Sequence, residues 1–201
     1  VAKKEKVDLK NIKGRSFTTP IGRLAFPALF KPKAYQEGSK EYYQTSILFD
    51  KETDLSDMRR EIKLAAAEAF GKDPKTWPKI EMPWRDGDQK EDLAGYAGCW
   101  YVSAKSLRKV KIVDGQKQPV TDEEEVYGGR YARIAVRAKL VPNGSSYFVS
   151  LYLQAVQVRT VSGDKGDSFA GGVDVDSAFD AEDEVDDDLS FNGDDELDAT
   201  L

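Results

Sequence analysis

Six tyrosines and seven cations carry most of the chemistry that this sequence offers. Tyr35, Tyr42, Tyr101, Tyr131, Tyr147 and Tyr152 are interleaved with Lys31, Lys33, Lys105, Arg130, Arg133, Arg137 and Lys139. Flat rings beside cations suit a flexible polyanion with stackable bases, the rings taking base faces and the cations phosphates. Any one of them is equally a tyrosine capping a core edge or a charge kept for solubility. As a set they are harder to explain that way. Other chemistries lack their parts. The chain has no histidine, which removes Ser-His-Asp and Cys-His catalysis and His-dependent zinc sites. Cys99 is its one cysteine, so neither an internal disulfide nor a cysteine-rich metal site can form. No GxxxxGK[ST] phosphate loop occurs, and no Asp-x-Asp-x-Asp-Gly calcium loop. The expectation is a binding protein without metal or cofactor, and not an enzyme. A magnesium-dependent nuclease is the weaker rival.

These side chains need strands to position them. From Arg130 to Val141 the chain alternates with period two. Ala132, Ile134, Val136, Ala138 and Leu140 form an apolar face, and Tyr131, Arg133, Arg137 and Lys139 lie on the other. Asn143-Gly144 turns the chain, since this pair tolerates positive φ. The return strand puts Tyr147, Val149, Leu151, Leu153 and Ala155 on one face, and Phe148, Ser150, Tyr152, Gln154 and Val156 on the other. Upstream, Leu24 to Phe30 and Glu41 to Asp50 read as strands, with Pro27 demanding an edge or a bulge in the first. Gly98 to Lys105 is another, with Tyr101 on its polar side and exposed unless something covers it. Arg108 to Val113 is a short one. Leu55, Met58, Ile62, Ala65, Ala66 and Ala69 make one helical stripe between 54 and 70, capped by Thr53 or Asp54 and stopped by Gly71. Residues 72–97 are a long proline-bearing loop in which Trp77 and Trp84 either stack on bases or pin the loop to the core.

The net charge of −6 averages two opposite parts. Residues 174–201 hold 13 acids, among them Asp174, Asp186, Asp187, Asp188, Asp194, Asp195, Glu196 and Asp198, and no lysine or arginine. Residues 1–173 therefore hold 30 basic against 23 acidic residues, a net of +7. A basic body with an acidic tail points to nucleic acid. The expected division is a mobile basic arm over 1–14, a binding domain over 15–162, a Gly-rich linker over 163–173 and a disordered acidic tail over 174–201. No apolar run is long enough to span a bilayer, and the start has no signal-peptide core. A single cysteine fits a reducing compartment.

Five or so strands with one helix between the early and late ones predict a mainly β chain. The match is a small Greek-key barrel of the OB type. Several stretches make the reading more specific. They are LAFPALFKPK from Leu24, YYQTSILFDK from Tyr42, Arg85-Asp86-Gly87-Asp88, and Gly95-Tyr96-Ala97-Gly98 with the Trp100 strand. VYGGRYA from Val126 and SLYLQAVQ from Ser150 complete the series. In this order and spacing the chain resembles the phage-encoded single-stranded-DNA-binding proteins that carry an OB fold and an acidic tail. The resemblance covers most of residues 23–172. It implies an accessory of replication and recombination in the host cytoplasm that coats exposed single strands and recruits replication proteins through its tail. A homodimer is compatible with it. Related tails often finish on an aromatic residue, whereas here Phe179 and Phe191 are internal. The alternative from another class is a protein-interaction or virion-assembly module whose tail imitates DNA.

Overall fold

The computed structural model describes residues 9, 12–34 and 37–169. Tyr35, the first eight residues and the whole acidic segment lie outside the described residues. The strands are β1 (Arg15–Thr18), β2 (Gly22–Ala34) and β3 (Glu41–Asp50), followed by helix α1 (Ser56–Phe70). Then come β4 (Ile80–Glu81), β5 (Arg85–Asp86), β6 (Cys99–Ser106), β7 (Lys111–Val113), β8 (Tyr131–Asn143) and β9 (Ser146–Val158). They join one sheet in the order β1-β8-β2-β3-β6-β9-β4, with β5 paired to β6 and β7 to β9 off this path. A further β8–β9 pairing closes β2-β3-β6-β9-β8 on itself. Four of the five closing contacts are antiparallel, and β6 with β9 is parallel. This is the expected OB barrel, with closure removing the sheet edges that would otherwise invite aggregation.

The alternation of β8 holds along its length. Ala132, Ile134, Val136, Ala138 and Leu140 are all buried and join Leu24, Ile47, Phe49, Val102 and Leu151 in one core. The stripe of α1 adds Met58, Ile62, Ala65 and Ala66 to it. Fully burying a side chain such as Ile62 contributes about 1.5–3 kcal/mol. Asp54 assists the helix start by accepting from the Ser56 amide at 2.8 Å, which lowers its pKa, although the cap position falls on Leu55. Gly71 ends the helix at φ 85°. Trp77 and Trp84 pack against the core, so they pin their loop.

Two features differ from the sequence reading. In β9 the parity changes, because Ala135 pairs with Ala155 and Val136 with Leu153. Gln154 is the extra residue of a bulge, and Val156 turns inward with no exposed surface. The stretch from 163, read as linker, is also bound to the barrel as far as Phe169. The Lys165 carbonyl accepts from the Tyr131 amide at 2.9 Å, the Gly166 carbonyl from the Tyr127 hydroxyl at 2.8 Å, and the Gly128 carbonyl from the Phe169 amide at 2.8 Å. These pairings satisfy backbone groups at the entry of β8.

Candidate nucleic-acid interface

Strand register lays the outer faces of five strands side by side. Ser16 of β1 stands opposite Arg137 of β8, Arg137 opposite Tyr152 of β9, Tyr152 beside Lys105 of β6, and Lys105 opposite Gln44 of β3. Arg137 is exposed and donates from Nε to the Ser16 hydroxyl at 3.0 Å. Tyr152 is 43% exposed. The Lys105 ammonium lies 4.6 Å from the centroid of the Tyr42 ring. A neighbouring row carries Lys139 opposite Ser150, and Ser103 opposite Ser46 with their hydroxyls 2.7 Å apart. The result is a polar, cationic track crossing the barrel, studded with tyrosine rings.

Over β3, β6 and β9 the track deepens into a groove of about 560 Å³. Gln44, Ser46, Ser103, Lys105 and Ser150 form its floor, and Phe26, Arg85, Lys90, Leu93 and Tyr96 also line it. Phe26 is 63% exposed, a large ring left in solvent. A bulge puts it there. Ala25 pairs with Ser46 and Ala28 with Gln44, so Phe26 and Pro27 together oppose Thr45 alone. The Thr45 hydroxyl donates to the Ala25 carbonyl at 3.3 Å inside the bulge. Phe26 takes φ +48°, which costs a residue with a side chain roughly 1–2 kcal/mol. Its ring centre is 6.1 Å from that of Tyr96.

The far wall is the segment between β5 and β6. The Asp86 carboxylate accepts from the Asp88 amide at 3.1 Å, and Asp88 Oδ1 accepts from the Gly98 amide at 2.6 Å. Lys51 joins both carboxylates, bonding Asp86 and lying 3.2 Å from Asp88 Oδ2, with its ammonium 4.0 Å above the Trp100 ring. The bond to Asp86 raises the Lys51 pKa, and the same bond lowers that of Asp86. Beneath the wall lies a second apolar cluster of Ala25, Leu48, Tyr96, Cys99 and Tyr101. Burial raises the pKa of the Tyr96 phenol and of the Cys99 thiol. Phe169 closes this cluster from outside. Its ring rests against Gly95 and Gly128, and a Cβ at Gly95 would fall 2.4 Å from the ring. The Arg23 guanidinium lies 5.4 Å from the same ring centre.

The candidate residues therefore divide. Tyr42, Lys105, Arg137, Lys139 and Tyr152 share the track, with Lys33 exposed opposite Tyr42. Tyr101 does not. The wall covers it, leaving 4% exposed, with its ring edge-on to Tyr96 at 5.0 Å. Arg130 is also withdrawn, at 3% exposure. It donates to the carbonyls of Glu125 and Lys165 at 3.3 and 2.9 Å and to that of Arg159. Tyr147 turns toward the core and meets Phe70 edge-on at 4.9 Å. Arg133 is tied to Gln157 at 2.7 Å, beside β7. Tyr131 is held where 163–169 crosses β8, and Lys31 faces Glu123 at 3.8 Å. Sequence reasoning missed Phe26, Arg85 and Lys90. The one available signal was an aromatic directly before the proline that forces the bulge.

A closed OB barrel with an aromatic, cationic groove across its outer face is the architecture of a single-strand binder. Residues 17–190 match the family model described as Enterobacter phage Enc34, ssDNA-binding protein, and the chain belongs to that family. Putative protein p50 of Acyrthosiphon pisum secondary endosymbiont phage 1 is 32% identical over 160 residues, covering 75% of this chain and 84% of that protein. Among solved structures, the single-stranded-DNA-binding protein of bacteriophage Enc34 in complex with ssDNA superposes with a TM-score of 0.59 at 19% identity, covering 82% of this chain and all of the other. Gp2.5 of bacteriophage T7, a single-stranded-DNA-binding protein, gives 0.56 at 16% identity over 86% and 98% of the two chains. At these identities the two structures show the shared fold.

Proposed function

We propose that this chain binds single-stranded DNA along the track from Arg137 to the Phe26 groove, with little sequence preference. The observation that carries this reading is the Phe26 ring, held in solvent by a strained bulge above a floor that ends in Lys105. Strain of that kind concentrates where a side chain is needed in one place. Rings offer every base a face and cations offer every phosphate a partner, so contacts of this type do not read sequence. The membership of the Enc34 family and the DNA-bound structure of the Enc34 protein support the same reading. The role that follows is to coat exposed strands during phage DNA replication and recombination, keeping them from re-pairing and from nucleases. The acidic residues from 174 onward recruit replication proteins and compete with DNA for the body's cations. The test is a titration with one oligonucleotide, single-stranded and as duplex, at low and high salt. The single strand binds more tightly, and its affinity falls with a log–log slope of about −0.7 per phosphate neutralised. Equal or tighter binding of duplex removes the proposal.

A further inference from the structure

A second cationic cleft lies away from the DNA track, between α1 and the turn at Pro74–Thr76. It encloses about 500 Å³. Its apolar seat is Leu64, 40% exposed, with Trp77, whose ring is fixed by a 2.8 Å bond from Nε1 to the Gly71 carbonyl. Around the seat stand Arg59, Arg60, Lys63 and Lys72, and no carboxylate lines the cleft. Arg60 is held by Asp57 at 2.9 Å. Among the described residues Lys63 and Lys72 have no ion-pair partner. Arg59 stacks on Trp84 and Trp100, 5.5 and 5.6 Å from the ring centres, and its Nε is buried with no acceptor among the described residues. A buried donor without an acceptor is rare in folded proteins and calls for an explanation.

An apolar seat rimmed by cations selects an apolar side chain flanked by carboxylates. The sequence contains that chemistry. Residues 174–198 intersperse 13 acids with Phe179, Leu189 and Phe191 and contain no cation. We propose that the α1 cleft receives the acidic segment of a second copy of this chain. The contact is head-to-tail, cleft of one copy to acidic segment of the next, so it propagates along a row rather than closing on a pair. It does not depend on the DNA groove. A single strand stacked on Trp77 is the other occupant that these parts fit, and the oligonucleotide affinity of K63E/K72E distinguishes the two.

Sedimentation of the full-length chain without DNA tests this. The wild-type chain associates with rising concentration, and high salt dissolves the associates. The variant K63E/K72E loses its cleft charge, and D186N/D187N/D188N/D194N/D195N loses acid from the segment. Each alone is a monomer, and circular dichroism confirms that each is folded. Mixed, they associate again, because each supplies the half that the other lacks. Failure of the mixture to associate overturns the proposal, as does a wild-type chain that stays monomeric or variants that associate like it. Oligonucleotide affinity is measured in parallel. K63E/K72E keeps the wild-type value within twofold. A loss of tenfold or more overturns the proposal by placing the cleft on the DNA path, while a wild-type chain that binds no single strand removes the proposed function and leaves the self-association result standing.

Discussion

Phe26 spends conformational strain to keep a ring in water, and its two roles separate by mutation. Phe26→Ala removes the ring and lowers single-strand affinity by roughly 1–3 kcal/mol, the usual contribution of one stacked base. Phe26→Gly loses the same affinity but relieves the positive φ, so it is more stable than Phe26→Ala by up to about 1 kcal/mol after the entropy of glycine is counted. Chemical denaturation and oligonucleotide titration of the two variants check both halves. Arg130 gives the opposite result. Its guanidinium is surrounded by carbonyls, and Arg130→Ala strands several buried acceptors at about 1–3 kcal/mol each. Stability falls, while the folded fraction binds DNA as before. Alternation gives Arg130 the inward parity of Ala132 and Ile134, and Arg137 the outward parity of Tyr131 and Arg133. What no local pattern reports is the set of carbonyls from Glu125, Arg159 and Lys165 that receives the buried guanidinium. Tyr101 fails as a platform for the same kind of reason. Its face is polar by pattern, but a segment from outside the strand covers it.

Among the elements, those that depend on local periodicity were legible. The inward face of β8, the stripe of α1 and the bulge demanded by Pro27 all follow from side-chain spacing and a missing amide. The bulge at Gln154, the groove wall and the bound segment 163–169 depend on partners far along the chain, and no spacing rule reports those. The wall is held by charge, and this makes it sensitive to pH. The Asp86 pKa is lowered from 3.8, so its share of the hold is present above that value and is lost as pH falls through the depressed one. The Lys51 pKa is raised from 10.5, so its share is present below that value and is lost as pH rises through the raised one. Between these limits the wall is constant. Tryptophan fluorescence, compared between wild type and Lys51→Met because the ammonium lies over Trp100, shows the difference flat across this window and vanishing beyond either end. At neutral pH the Gly98 amide, which donates to Asp88, exchanges severalfold faster in Lys51→Met.

For the whole molecule, the opposition of charge between residues 1–173 and the acids from 174 onward sets the response to salt. Removing residues 174–201 tightens oligonucleotide binding, most at low salt where unscreened attraction reaches farthest. It leaves the denaturation midpoint unchanged, since the core lies between Leu24 and Val158. Equal affinities of the full and shortened chains at low salt would show that the acids do not compete for the track. The barrel also carries its own chemical clock. Cys99 is the sole thiol of the chain, lies under the groove wall at 1% exposure, and has its pKa raised by burial. Thiolate is the form that alkylating reagents capture, so this sulfur reacts only during the moments when the wall lifts. A strand lying against Phe26, Lys90 and Leu93 holds the wall down, so saturating oligonucleotide slows alkylation and Lys51→Met speeds it. One modification rate, read by mass spectrometry, therefore times the opening of the groove.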